Sequence, residues 1–233
     1  ITGIPQSFAT GCTSLKSINI PDTVLYISER AFENCSSLGS ISLPSKVKSI
    51  GSDAFSGCSS LKSFVIPDAV TVITNGVFSG CSSLESIVIP QNVTKFGDYA
   101  FANCSSLVEI NIPATVEELG WGVFSSCSSL KAVVVPEAIE NIPNYLFYDC
   151  ASLESVQLPQ MYTEIGYAAF CGCSSLEEII LPETLERIRD NAFKECASLK
   201  SVVIPDSVTT IGEATFNGCK SLESITLSSS IKK

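Results

Sequence analysis

The sequence predicts a parallel-stranded repeat solenoid, and three periodic observations carry that expectation. Cysteine recurs every 23 residues without a slip, at Cys12, Cys35, Cys58, Cys81, Cys104, Cys127, Cys150, Cys173, Cys196 and Cys219. Leucine follows each by three residues, from Leu15 to Leu222, and proline by nine, from Pro21 to Pro205, until Ser228 takes its place. Phenylalanine precedes each by three from Phe32 to Phe216, with Phe8 and Ala9 in swapped order in the first copy. A fixed period of this length marks stacked coils that each contact only their neighbours. Residues 1–233 therefore read as one domain of about ten coils, a rod on the order of 45–50 Å long, with no second domain.

Each part of the unit has a physical reading. After the Cys-Ser-Ser-Leu turn, pairs such as Ile18 and Ile20, Ile41 and Leu43, or Ile87 and Ile89 alternate with other residues, the period of a strand with one buried face. The proline behind them has no N–H for a ladder bond and ends the strand. Val47 and Ile50, or Val208 and Ile211, then return to the core on the opposite side, and Ala-Phe closes the coil in a short helical turn. The residue before each ladder Cys is mostly Gly, Asn or Asp, types that accept a left-handed backbone, so a tight turn is expected there. Glu195 is the misfit in that series.

The segment Leu-x-x-Ile-x-Ile matches the strand of a leucine-rich repeat. The fold class expected is thus a right-handed leucine-rich-repeat coil. Its parallel sheet lies on the concave face, with short helical turns or strands on the convex side. The full unit, C-S-S-L-x-S-I-x-I-P-x-x-V-x-x-I-G-x-x-A-F, resembles the BspA-like, or Treponema-type, leucine-rich repeat over essentially the whole chain. That resemblance implies a bacterial or protist surface or secreted protein, adhesion to host matrix or cells, and no catalytic motif.

Composition narrows the classes of function. The 14 Lys and Arg face 24 Asp and Glu, a net charge of −10, without a basic stripe for nucleic acid or anionic lipid. No apolar run is long enough to span a bilayer. The chain opens at Ile1 in mid-repeat, as expected of a mature form or an excised piece. Histidine is absent, and there is no phosphate loop, nucleophile elbow or Cys-His arrangement, so no enzyme activity, catalytic residue, metal or cofactor is expected. The ten periodic thiols should form an inward ladder about 4.8 Å apart. A straight row suits neither disulfides nor a zinc tetrahedron. They read as small hydrophobes. Cys171, one place after Phe170, is expected to be the exposed thiol. Sequons at Asn34, Asn92 and Asn103 are present, two of them products of the repeat itself.

Function should then reside where the copies differ. The outward strand positions carry an apolar thread of Val65, Val88, Val134, Ile180 and Val203, with Asn111 and Gln157 between them. This is either a docking face for an extended protein partner or the ordinary β-preference of branched side chains. Tyr99, Trp121, Tyr145 and Tyr167 come from four consecutive coils and could stack as an aromatic patch; packing within the turn is the alternative for the tyrosines. Glu117, Glu118, Glu140, Glu164 and Glu186 suggest an acidic ridge, a solvated face or a weak divalent-cation site. The reading is a non-catalytic interaction module of a surface or secreted protein; a spacer rod or an intracellular scaffold are the alternatives.

Overall fold

The computed structural model describes residues 1–231 as a stack of about ten coils carrying two rows of short parallel strands. The first row holds Ser63–Val65, Ser86–Val88, Ala132–Val134, Ser155–Gln157, Ser201–Val203 and Ser224–Thr226. The second holds two-residue strands, one per coil, from Gly3–Ile4 to Thr210–Ile211. Partners are offset by one repeat, as in Phe64↔Ile87, Val133↔Val156 and Ile27↔Ile50. Within Ser63–Val65 the central Phe64 is buried and its neighbours are exposed, as the period of two demands. Ile66 adds one more inter-coil bond, its N–H donating to the Val88 carbonyl, before Pro67 ends the ladder.

The first row is interrupted. Its strands pair two by two, and the coils around Asn111 and Ile180 lie between pairs, with only a single bridge, Glu109↔Ala132, reaching across at the first of these breaks.

Between the second row and the ladder Cys the chain forms consecutive tight turns, not the helical turn expected. Coil three shows the plan. The N–H groups of Ala54, Ser56 and Cys58 donate within the coil, to Gly51, Asp53 and Phe55. Those of Asp53, Phe55 and Gly57 donate to Asn75, Val77 and Ser79 of the next coil. Alternate donors thus close the turn and bind the neighbour. Left-handed residues at both ends of this stretch stop a helix from forming. All ten residues before a ladder Cys are left-handed, with φ between 54° and 81°, and Glu195 accepts the same conformation at 62°. A second left-handed series runs from Ser7 to Ala214 at the same period; Gly, Asn or Asp fills only four of its ten positions, and Arg30, Tyr99, Tyr145 and Ala168 stand among the rest, so it was not evident from sequence.

Nine rings from Phe32 to Phe216 stack along the rod, with centroids 5.3–5.9 Å apart. Ala9 takes the buried Phe place in the first coil, while Phe8 is half exposed and meets Phe32 edge-on. The ladder thiols lie alongside and are more than small hydrophobes. The Cys58 Sγ–H donates to the Phe32 carbonyl at 3.2 Å, and Cys127 to Phe101 and Cys150 to Phe124 do the same at 3.1 and 3.0 Å. Burial pushes the Cys58 and Cys127 thiols up to about 12, so both are neutral donors at physiological pH.

Two expectations about cysteine need correction. Cys12 is exposed and Cys219 is half-buried. Cys171, expected to be exposed, is buried. Its turn position is pressed between coils, so a small side chain such as Cys171 or Ala102 disappears there. Burial and the Asp149 carboxylate both push its thiol up.

In native protein a thiol reagent at pH 8 should therefore modify Cys12 first and Cys171 no faster than the ladder thiols; rapid loss of Cys171 in peptide mapping would contradict this burial. Tyr162 replaces the aliphatic residue that neighbouring coils carry as Ile139 and Leu185, and its buried hydroxyl has no partner among the described residues. Tyr162→Phe should raise stability by about 1 kcal/mol in urea unfolding, because an unsatisfied buried hydroxyl is removed. A loss of comparable size would mean that the hydroxyl is hydrogen-bonded.

Candidate binding surfaces

The first strand row presents its outward side chains in register. Val65 lies beside Val88, and Val134 beside Gln157. Val65, Val88, Val134, Ile180 and Val203 are 58–83% exposed, and Asn111 and Gln157 between them are exposed too. The inward members of the same strands fill the core, so the thread is the solvent side of a half-buried row.

Shallow depressions open on this row where strand pairing breaks. The largest, of about 630 Å³, is floored by Ile110 and Val133 and rimmed by Asn111, Val134 and Gln157. A second lies beside Ile180 and a third beside Ser42 and Val65. The two breaks between pairs are three coils apart, at Asn111 and Ile180, and the coil of Ser42 precedes the first pair. A sequence signal for them exists in retrospect. The paired strands follow Lys62 and Glu85, Lys131 and Glu154, and Lys200 and Glu223, a Lys-then-Glu alternation that the break coils lack.

Tyr145 packs edge-on against Tyr167 at 5.2 Å and against Tyr148 at 5.9 Å, and Tyr148 was not among the residues singled out from sequence. Burial, then the neighbouring Tyr167 and Tyr99, push the Tyr145 hydroxyl up. Tyr99 lies over Gly122 of the next coil, where a Cβ would run into the ring. Trp121 stands apart from these stacks, more than half exposed, with its backbone N–H held by the Asp98 carboxylate at 2.8 Å. Asn75, Asn144 and Asp190 hold the next coil's backbone in the same way, so the position of Trp121 is set by a structural ladder.

The acidic ridge is partly neutralised. Glu118 pairs with Lys95 at 2.6 Å, and Glu164 with Arg187 and Arg189 at 3.2 and 3.0 Å. These exposed pairs are each worth less than about 1 kcal/mol. Among the described residues no group of three or more His, Cys, Asp or Glu is placed to hold a metal ion, so nothing strengthens the cation reading. No helix among them is long and apolar enough to cross a membrane.

A sequence model for the BspA type leucine rich repeat region matches residues 2–131 and 140–233, in six copies. The chain belongs to that family. Solved structures agree. A leucine-rich repeat protein of T. pallidum is 33% identical over 69% of this chain and 78% of its own, with a TM-score of 0.64. A leucine-rich repeat protein from Bacteroides ovatus is 27% identical over 97% of this chain and 82% of its own, with a TM-score of 0.61. The pneumococcal vaccine antigen PcpA shares the fold at 22% identity, over 99% of this chain and 68% of its own, with a TM-score of 0.66. No curated protein sequence matches the chain significantly. In this BspA-type rod the repeated Cys, Leu and Phe positions are mostly buried, and the candidate binding residues are exposed.

Proposed function

We propose that this chain is a non-catalytic protein-binding module of a cell-surface or secreted protein, acting in adhesion. Its binding face is the first strand row: Val65, Val88, Asn111, Val134, Gln157, Ile180 and Val203. The observation that carries this reading is the exposure of five aliphatic side chains at one repeat position of a chain whose other aliphatic periodic positions are mostly buried. Scattered exposed aliphatics are ordinary on protein surfaces, but an apolar row rimmed by polar groups is the anatomy of an interface core. Family membership supports a protein partner and a setting outside the cell. Trp121 with the tyrosine cluster is the second surface, supported by the exposure of the indole.

Binding to immobilised matrix proteins and to cells tests the proposal. The Val88→Lys, Val134→Lys double variant should lose at least tenfold in affinity while its circular dichroism stays unchanged. Trp121→Ala should lose less. Equal binding by wild type and both variants, or no binding by any, would remove both surfaces.

A further inference from the structure

We infer that Tyr145, Tyr148, Tyr167 and Asp149 form a recognition site for the ammonium group of a lysine side chain on a partner protein. This rests on the second of the two proposed surfaces and names the group that it takes.

The site lies on the turn side of two adjacent coils, with Tyr145 and Tyr148 on one and Tyr167 on the next. The Tyr145 ring centroid is 5.2 Å from that of Tyr167 and 5.9 Å from that of Tyr148, and the ring planes meet at 66° and 74°. An aromatic ring attracts a cation that lies within about 6 Å of its centroid. At these separations one ammonium group can lie within that reach of all three rings. Tyr167 is exposed and Tyr145 and Tyr148 are half-buried, so the rings are open to a ligand and still partly screened from water. Tyr99 extends the group along the rod. Its ring covers Gly122 of the coil between, and after burial and Tyr167 it is the next group that pushes the Tyr145 hydroxyl up.

Asp149 sets the sign of the ligand. Its Oδ1 covers Gly172 of the next coil, and its carboxylate is first among the groups that push the Tyr148 hydroxyl up, which puts it beside that ring. Burial pushes the Asp149 carboxyl up in turn, so the group is partly drawn out of water. Among the described residues it is in no salt bridge. A carboxylate in that state is stabilised by a cation and repels an anion. The cations of the following coils serve other groups: Arg187 and Arg189 pair with Glu164, and Lys194 bears on the Cys171 thiol. Geometry then selects among cations. A planar guanidinium stacks on a single ring face, whereas ring walls at 66° and 74° suit a compact ammonium. A quaternary ammonium has no N–H to donate to Asp149, and a lysine has three.

The probe is Nα-acetyl-lysine amide, titrated into protein with isotope-labelled tyrosine rings and followed by NMR at low and at physiological salt. Ring signals of Tyr145, Tyr148 and Tyr167 should shift in step, and that of Tyr26 should stay in place. The neutral isostere Nα-acetyl-norleucine amide should bind at least fivefold more weakly, and Nα-acetyl-arginine amide at least twofold more weakly. Tyr145→Phe keeps the ring and should bind within twofold of wild type. Tyr145→Ala should lose at least fivefold; alanine already stands at that position one coil on, as Ala168. Asp149→Asn should lose at least threefold and abolish the weakening by salt, and asparagine accepts the left-handed backbone there. Equal binding of the lysine and norleucine derivatives, shifts that spare the three tyrosines, or wild-type binding by Asp149→Asn would overturn the inference. Tighter binding of the arginine derivative or of tetramethylammonium would overturn the choice of lysine. No binding of the probe, combined with loss of matrix or cell binding by Trp121→Ala, would sink the ligand assignment alone and leave the second surface standing.

Discussion

Nine phenylalanine rings stand face to face from Phe32 to Phe216, within 27° of parallel in every successive pair, and the register of the other groups follows from that stack. A ring that faces its counterpart one repeat away sets the offset at 23 residues. It also brings each ladder thiol from Cys58 onward to the carbonyl of the Phe in the preceding coil, as Cys104 reaches Phe78. The left-handed residue before that thiol then places its own N–H on the following coil, as Asn103 does on Ser125 at 2.7 Å. Ring, thiol and backbone donor belong to one turn, so a slip of one residue would break all three contacts. This is why strands only two or three residues long suffice: the turns carry as much inter-coil bonding as the sheets.

The same constraint separates structure from function. Inward positions must repeat because each packs on its own copy, whereas outward positions are free to differ. The valine thread, the two amides and the carboxylates occupy that free set. Trp121 does too, although its backbone serves the Asp98 ladder. Asn111 and Ile180 sit where first-row pairing lapses, and the depressions there show that even the repeated scaffold has places left open.

Much of this was legible in the sequence. Period, strand position, terminating proline and inward cysteine all follow from side-chain spacing alone. What was not legible depends on neighbouring coils. Cys171 reads as exposed if its coil is considered alone, because only the turns stacked on either side cover it. The helical turn expected at Ala-Phe fails because a second left-handed residue precedes it, in positions held by Arg30, Tyr99 and Ala168, which carry no local signal for that backbone. Tyr99 and Tyr145 share that position and Trp121 and Tyr167 the one before it, and Tyr145 packs on Tyr167 across the two.

The most direct test of the stack is urea unfolding of Phe124→Ala, which removes the ring between Phe101 and Phe147. A loss of about 3–5 kcal/mol is expected. Amide exchange should rise more in the coils holding Cys104, Cys127 and Cys150 than in those holding Cys12 and Cys219, because each coil leans only on its neighbours. A loss below about 1 kcal/mol, or exchange that rises uniformly along the rod, would contradict the claim that the ring stack sets and holds the register.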